Sequence, residues 1–305
     1  MRQNERTDKK MHKKISTGQR IFNVFNVLLM LLLVVIMFYP VWYVIVASFT
    51  NSDALISHKG ILLRPKGFTI NAYKLMMKNP MIVRGYLNSI FLVVAGVTLN
   101  LVFTSIAAYV LSRKNLFWNR FIMLMIIFTM YFSGGLIPNY LLVSKTLHLN
   151  NTYWALLLPT LINTYNMIIM RTSFAALPDS LIESASLDGA GHWRILARIV
   201  VPLSMPVIAV MILYYAVEIW NSWFNASIYI KERTLFPLQL ILREILIDND
   251  TSSMTAGSGD ASDLMSIAES VKYAVIVFAT VPILCVYPFL QKYFVKGIMI
   301  GSVKG

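Results

Sequence analysis

The chain has 305 residues, of which 57% are hydrophobic and only 13% are charged. Soluble domains carry about 25% charged residues, so this composition excludes a cytosolic enzyme, a secreted disulfide scaffold and a disordered chain. A formal net charge of +13 is also found in nucleic-acid-binding proteins, but here the positive residues flank long apolar runs, which is the pattern of a protein with several membrane spans.

A strongly basic segment precedes the first long apolar run. Residues 1–20 form a predicted basic cytoplasmic tail, whose positive residues are Arg2, Arg6, Lys9, Lys10, Lys13, Lys14 and Arg20. Residues 21–48 contain no charged side chain, and this run is longer than the roughly 20 residues that cross a bilayer. It also exceeds the roughly 7 to 15 apolar residues of a cleavable signal, so we predict an uncleaved anchor helix over 21–48.

Five further apolar windows lie within a predicted core of residues 73–294. They cover 86–112, 121–143, 151–170, 199–223 and 273–291, and the one charged residue among them is Glu218. Together with the anchor helix they predict six spans, and an even number places both termini on one side. The Lys and Arg residues of the two tails and of the connection 171–200 assign that side to the cytoplasm. The same topology makes 295–305 a cytoplasmic tail and 225–271 an extracytoplasmic loop.

The sequence offers no catalytic or metal-binding constellation. The histidines, His12, His58, His148 and His192, all fall in tails or connections, so we predict no metal site within the membrane. The single cysteine, Cys285, allows no disulfide within the chain. No Gly-Lys dipeptide occurs, which excludes a Walker A loop and nucleotide hydrolysis by the chain itself. We therefore predict a protein that is not an enzyme and holds no cofactor.

The inner connection, 171–200, has the pattern of two helices separated by a break. Asp179 or Ser180 is a candidate cap of the first helix, because short polar side chains accept bonds from the free N–H groups of a first turn. Gly189 supplies either a positive φ at the helix end or a close backbone approach. The second helix is predicted to have an apolar face made of Trp193, Ile195, Leu196 and Ile199. Spacing alone also fits an amphipathic helix-turn-helix that lies on the membrane.

Three motifs in order resemble those of binding-protein-dependent ABC importer permeases. Glu183-Ser-Ala185-Ser-Leu-Asp188-Gly189-Ala190, followed by Ile199 and Pro202, resembles the EAA loop of that family, with Ser184 in place of the first alanine. The other two are Trp220-Asn-Ser-Trp-Phe-Asn225-Ala and the C-terminal residues 287–305. These two resemble the carbohydrate-uptake branch, whose type member is the maltose permease subunit MalG, and within it the complex-oligosaccharide subgroup.

The resemblance implies an all-α membrane protein with the six-span, MetI-like fold of type I ABC importer permeases. It also implies a bacterial cell-membrane location, contact with membrane lipid and no nucleic-acid partner. The implied protein partners are a homologous second permease subunit, two ATP-binding subunits that bind ATP and Mg²⁺, and an extracytoplasmic sugar-binding protein. In this family the EAA loop is a coupling helix held in a cleft of the ATPase. The matching residues here are Glu183, Ala185, Asp188, Gly189, Ile199 and Pro202. The resemblance makes Glu183 the charge that pairs with a basic ATPase residue.

The fifth span contains candidate residues for contact with the transported molecule. A charge such as that of Glu218 costs about 2.5–3.5 kcal/mol at a helix centre in the membrane on insertion scales, so it has a functional use or lies near the headgroups. Polar residues at helical spacing are predicted to share one face: Tyr214, Glu218, Asn221 and Asn225. Carboxylate and amide groups bond sugar hydroxyls, and indoles cover the apolar side of a sugar ring. The predicted substrate-path residues are Glu218, Asn221, Trp220, Trp223, Asn225 and Asn163.

These features predict a permease subunit for ATP-driven import of an oligosaccharide or other carbohydrate. One alternative is a permease of the same architecture for a non-sugar solute, such as an amino acid or a polyamine. Another is an ion-coupled secondary transporter or a channel, although such proteins usually carry several intramembrane ionisable groups or repeated spans. The amide and aromatic residues of the fifth span favour the sugar, whereas tryptophans that only mark the membrane interface would not discriminate.

Overall fold

The computed structural model describes residues 16–58, 60–247, 270–286 and 288, which are largely helical. The two long helices are α1 (Thr17–Ser48) and α4 (Pro80–Ser112). The shorter helices, in chain order, are α2 (Ser52–Ser57), α3 (Asn71–Lys78), α5 (Asn119–Tyr131), α6 (Leu136–Leu141), α7 (Trp154–Leu157), α8 (Thr164–Ala175), α9 (Asp179–Leu187), α10 (His192–Ile195), α11 (Val201–Leu203), α12 (Met205–Asn221), α13 (Phe224–Tyr229), α14 (Leu238–Ile247) and α15 (Ser270–Val286). Single π-helical turns, Leu142–Thr146 and Leu196–Val200, continue α6 and join α10 to α11.

Helices α1 and α4 correspond to the predicted windows 21–48 and 86–112. The Oγ of Ser16 caps α1 by accepting a hydrogen bond from the N–H of Gln19 at 3.3 Å. The apolar side chains of α1 are exposed over most of its length, and a helix that is apolar on all sides requires lipid or another subunit around it. The Oδ1 of Asn79 caps α4, with Pro80 at the first position, where no N–H is needed.

Two of the predicted spans are bent at a break. Helix α5 and Leu136–Thr146 meet at 107°, and His192–Leu203 and α12 meet at 87°. Gly135, with a φ of 85°, lies at the first break. Ser204 lies at the second, next to prolines that lack the N–H of an unbroken helix. By length and composition, two helices in the described ranges can cross a membrane, or four if each bent pair counts as one span.

The predicted window 151–170 is not one helix. Helix α7 ends at Leu157 and α8 begins at Thr164. Pro159 lies between them, and its ring clashes with the carbonyl four residues earlier in a continuous helix. The prediction of one spanning helix there is wrong, whereas the last window, 273–291, overlaps the shorter apolar helix Ser270–Val286.

Helix α4 lies at the centre of the fold and contacts α8, α12 and α14. Gly96 permits the close approach of α12, because a Cβ at this position would lie 2.6 Å from Cδ1 of Ile219. Further along the same pair of helices, the buried hydroxyls of Thr104 and Tyr215 form a hydrogen bond of 2.7 Å. At about 1.5 Å per residue, α12 is roughly 25 Å long, so its two ends are distinct places in the molecule.

Several predicted segments fall partly or wholly outside the described residues. They are the first fifteen residues of the tail 1–20, residues 248–269 of the loop 225–271, and the tail 295–305. The described part of 225–271 forms α13 and α14, and α14 packs against α4. This part of the predicted loop belongs to the folded core.

Candidate functional site

The coupling hairpin, which we define as residues 178–203, begins at α9. Its N-cap is Pro178, and no side chain makes a capping bond there, so the prediction that Asp179 or Ser180 caps the helix is wrong. Asp179 instead accepts a 2.6 Å hydrogen bond from Nζ of Lys114, which follows the end of α4. The Lys114 ammonium lowers the pKa of the Asp179 carboxyl, and Asp179 in turn raises the pKa of Lys114. Opposite charges thus link α9 to the central helix.

Gly189 ends α9 in the left-handed conformation, with a φ of 77°. The N–H of Ala190 donates to the carbonyl of Ala185 at 2.9 Å, and the N–H of Gly189 donates to that of Ser186 at 3.1 Å. This pair of bonds is the Schellman arrangement, in which glycine at the left-handed position avoids a Cβ penalty. A Cβ at Gly189 would meet no atom within 4 Å. The structure therefore supports the positive φ, and not a close backbone approach, as the reason for this glycine.

The hairpin exposes apolar side chains. Leu187 is 89% exposed and Trp193 is 69% exposed. The predicted apolar face of the second helix is therefore partly wrong: Ile195 and Leu196 are buried, but Trp193 points away from the core. Of the predicted coupling residues, Glu183, Asp188, Gly189 and Pro202 are exposed, and Ala185 and Ile199 are half-buried.

Polar contacts hold the start of α10, and the end of α8, against α4. The Tyr109 hydroxyl and Nδ1 of His192 form a hydrogen bond of 3.1 Å. The Arg113 guanidinium lies over the Tyr109 ring at 5.0 Å and donates to the carbonyl of Phe174 at 3.3 Å. The segment directly after the turn is therefore held against α4, while Leu187 and Trp193 remain exposed.

A polar cavity lies near the C-terminal end of α12, the end away from the coupling hairpin. Its volume is about 240 Å³, and its polar lining residues are Asn100, Thr160, Glu218, Ser222 and Asn225. We call it the Glu218 cavity. Asn100 is only 2% exposed although it lies within the most apolar part of α4. Asn163 does not line the cavity, but its side chain is a hydrogen-bonding neighbour of the Glu218 carboxylate and also caps α8 by accepting from the N–H of Asn166.

The predicted polar residues of the fifth span are divided between two helices and two cavities. Glu218 and Asn221 lie on α12, which ends at Asn221, and Asn225 lies on α13 beyond a break. Asn221 and Trp223 line a different cavity of about 460 Å³, which we call the Arg243 cavity. Trp220 is buried and donates from Nε1 to the carbonyl of Ala279 at 3.2 Å. The structure thus brings Glu218 and Asn225 together, with Asn163 adjacent, and separates them from Asn221, Trp220 and Trp223.

Sequence reasoning missed several polar residues of these cavities. They are Asn100 and Thr160 in the Glu218 cavity, and Gln239 and Arg243 in the Arg243 cavity. The sequence could have indicated Asn100 in the same way as Glu218, because it is a polar side chain in an apolar window. It could also have indicated Arg243, because this residue is a cation within the apolar segment 235–246.

In the part of the chain that the structure describes, a helical bundle carries an exposed apolar hairpin near one end of α12 and polar cavities near the other, which is typical of a membrane transport protein. Residues 100–300 match the family of binding-protein-dependent transport system inner membrane components, and the chain belongs to that family. It is therefore a permease of the ABC importer type and not an enzyme, and the family predicted from the three motifs is confirmed. Membership also rules out the ion-coupled alternative.

Similar proteins support the same family. Protein LplC of Bacillus subtilis (strain 168) is 44% identical over 94% of this chain and 96% of its own length. The polygalacturonan/rhamnogalacturonan transport system permease protein YtcP of the same organism is 41% identical over 92% of this chain and 97% of its own. A solved chain from a bacterial ABC transporter involved in the import of the acidic polysaccharide alginate has a TM-score of 0.83, with 29% identity over 92% of this chain and 98% of that chain.

Proposed function

We propose that the chain is one of two permease subunits of an importer that moves an oligosaccharide into a bacterial cell. The observation that carries the proposal is the Glu218 cavity, where a carboxylate, amides and hydroxyls meet inside an apolar bundle. Polar groups within a membrane are expensive, and those that line a hydrated path keep their solvation. In such a path a carboxylate accepts hydrogen bonds from sugar hydroxyls, and amides both accept them and donate them.

The names of similar proteins support a carbohydrate as the solute. YtcP is named for polygalacturonan and rhamnogalacturonan, and AraQ of Bacillus subtilis, which is 26% identical over 93% of this chain, is named for arabinooligosaccharides. The alginate importer adds a third polysaccharide. These solutes share many hydroxyl groups, which the amides and hydroxyls that line the Glu218 cavity can bond. A non-sugar solute is the alternative, and uptake by the reconstituted importer distinguishes the two.

The coupling hairpin is the surface that we assign to the ATP-binding subunits. A partner would cover its exposed side chains, Leu187 and Trp193. Glu183, on α9, is also exposed and would lie in the same contact. The Schellman turn at Gly189 fixes the direction of the tip, and the chain runs from the hairpin into α12 across the bend at Ser204, so we assign the transmission of movement to this connection. The partner subunits supply ATP and Mg²⁺, and both termini of this chain lie on their side, in the cytoplasm.

Reconstitution tests the proposal. The chain is co-expressed with its partner permease, the ATP-binding subunit and the binding protein, and the purified complex is placed in proteoliposomes. We expect two copies of the ATP-binding subunit per complex, ATP-dependent uptake of an oligosaccharide, and no ATP hydrolysis by the isolated chain. ATP hydrolysis by the isolated chain, or uptake of amino acids in preference to every oligosaccharide offered, would contradict the proposal.

A further inference from the structure

A groove lies where α4 ends, beside the start of α10. Its volume is about 440 Å³, and most of its lining is apolar, as at Val110 and Leu196. Its charged and polar lining includes Arg113, Asn115 and His192. We call it the Arg113 groove. It lies at the opposite end of α12 from the Glu218 cavity and therefore needs a ligand of its own.

The end of α4 marks the level of the membrane surface. Residues 85–112 contain no charged side chain, and Arg113 is the first charged residue after them. Cations that directly follow an apolar span lie at the level of the lipid headgroups. Val110 and Ile106 line the groove three and seven residues before Arg113, which places them about 5 and 10 Å deeper in the bilayer at a rise of about 1.5 Å per residue. The groove therefore has its charged end at the headgroups and its apolar part among the acyl chains.

The guanidinium of Arg113 is held in place by uncharged partners. Its Nε and Nη2 donate to Oγ of Ser112 at 3.1 and 2.9 Å, and Nη2 also donates to the carbonyl of Phe174 at 3.3 Å. The ring of Tyr109 lies 5.0 Å from its central carbon. Nη1 takes part in none of these hydrogen bonds, and no acceptor among them carries a negative charge. Arg113 thus offers an oriented donor and a positive charge to a ligand.

The surroundings of the groove are also positive. Arg194 and Arg198 are exposed on the segment that forms its second wall, and neither makes an ion pair in the described part of the chain. The carboxylate of Asp179 acts on Arg113 through space, but it is bound by Nζ of Lys114 at 2.6 Å. The charges at this end of α4 therefore favour an anion.

An anionic phospholipid matches both parts of the groove. Its phosphate lies at the level of Arg113, and guanidinium groups form strong, charge-assisted hydrogen bonds with phosphate oxygens. His192 can add a second donor: when the hydroxyl of Tyr109 donates to Nδ1, the N–H is on Nε2, which takes no part in that bond. An acyl chain covers the apolar side chains below. Basic pockets between membrane helices bind anionic lipid headgroups in this way.

We propose that the Arg113 groove binds an anionic phospholipid of the surrounding membrane, with its phosphate at Arg113 and an acyl chain between α4 and α10. A soluble subunit does not fill the groove, because Val110 and Ile106 lie deeper than the first charged residue after the span. Trp193 lines the groove as well, and indoles are enriched at the level of the headgroups. The proposal goes beyond the proposed function, since it does not depend on the solute that the importer carries.

Lipid binding to the complete importer tests the proposal. The complex of both permeases and the ATP-binding subunits is titrated in detergent with phosphatidylglycerol or with phosphatidylcholine of the same acyl chains, and bound lipid is measured by native mass spectrometry. We expect tighter binding of phosphatidylglycerol to the wild type. Arg113→Gln should weaken that binding by about fivefold, the effect of one cation near an anionic lipid surface, and change phosphatidylcholine binding by less than about twofold. Arg113→Lys should keep part of the preference, because the charge remains but the fork is lost.

Matched variants separate the charged end from the apolar part. Val110→Trp fills the groove and should weaken both lipids. Val102→Trp changes another exposed valine of α4 that does not line the groove, and it should weaken neither. Arg120→Gln removes an exposed cation outside the groove and should leave the preference for phosphatidylglycerol unchanged.

Three results would overturn the lipid site. They are equal loss of both lipids in Arg113→Gln, no loss of either, and displacement of phosphatidylglycerol by an equal concentration of glycerol phosphate, which would identify a soluble phosphate as the ligand. Any of these in an importer with normal oligosaccharide uptake would leave the proposed function intact. The expected lipid preference in an importer that takes up no oligosaccharide would support the lipid site and overturn the proposed function.

Discussion

The two ends of α12 place side chains in opposite ways. At the coupling hairpin, apolar side chains such as Leu187 and Trp193 are exposed beyond a buried apolar base. At the far end, polar side chains such as Asn100 and Glu218 meet within an apolar bundle. Each arrangement is costly in an isolated chain, because apolar groups favour burial and polar groups favour water.

The difference indicates what each end binds. Exposed apolar groups on a fixed hairpin are stabilised when another protein covers them. Polar groups within the bundle are stabilised by water or by a polar solute that passes them. Under the proposed function the permease uses both kinds of site, and α12 together with α4 connects them. Variants at one end should therefore impair coupling, and variants at the other end should impair handling of the solute.

The largest effect is expected at the turn of the hairpin. Gly189→Val places a β-branched residue at a φ of 77°, which costs about 1–3 kcal/mol of backbone strain or forces the tip to move. We expect ATP-driven uptake to fall by roughly 30-fold, since 2 kcal/mol, the middle of that range, corresponds to about that factor. Membrane insertion, assembly of the bundle and solute binding should persist.

Gly191→Val provides the matched control for that variant. Gly191 has a φ of −70° and no atom within 4 Å of an added Cβ, so valine fits its backbone without strain. Uptake by Gly191→Val should stay close to wild type. Normal uptake by Gly189→Val would show that the direction of the tip does not matter for coupling.

The next largest effect is expected in the Glu218 cavity. Glu218→Leu removes a hydrogen-bonding group of the cavity and the partner of the Asn163 side chain. We expect oligosaccharide uptake to fall by about tenfold, whereas basal ATP hydrolysis and the affinity of the binding protein for sugar persist. Glu218→Gln should be much milder, because an amide still bonds hydroxyls. If Glu218→Leu transports normally, the residue is an interfacial anchor and the path lies elsewhere.

A smaller effect is expected in the middle of α12, where this helix packs against α4 between the hairpin and the Glu218 cavity. Tyr215→Phe removes the buried hydrogen bond between the Tyr215 and Thr104 hydroxyls. We expect the free energy of unfolding in detergent to fall by about 1 kcal/mol, in the range of hydrogen bonds between membrane helices. Tyr165→Phe, on an exposed face of α8, is the control and should leave stability unchanged. An equal loss in both variants would mean that the bond contributes nothing specific.

Local sequence patterns predicted the long helices and the turn of the hairpin. Apolar windows and the spacing around Gly189 depend on neighbouring residues, so they are visible without the fold. The breaks were harder to predict, since prolines such as Pro159 and Pro206 indicate a weak point but not its angle. Both cavities depend on residues far apart in the chain, such as Asn100 with Glu218, which no single helical period relates. Glu218 and Asn221 both lie on α12 yet line different cavities, and Asn225, beyond the break, lines the cavity of Glu218.

The smallest effect is expected from the ion pair between Lys114 and Asp179, which joins α4 to the hairpin. Both groups are exposed, so solvent and salt screen their attraction. Asp179→Asn should lower uptake by less than about twofold, and raised salt should remove even that difference. Because the pKa of Asp179 is lowered in the folded chain, the contribution of the pair is present above the carboxyl's ordinary pKa and is lost as pH falls through the lowered value. The ratio of wild-type to variant uptake should therefore be constant from about pH 6 to about pH 8. A ratio that changes within that interval, measured in proteoliposomes with Lys114→Gln alongside, would mean that another group controls this contact.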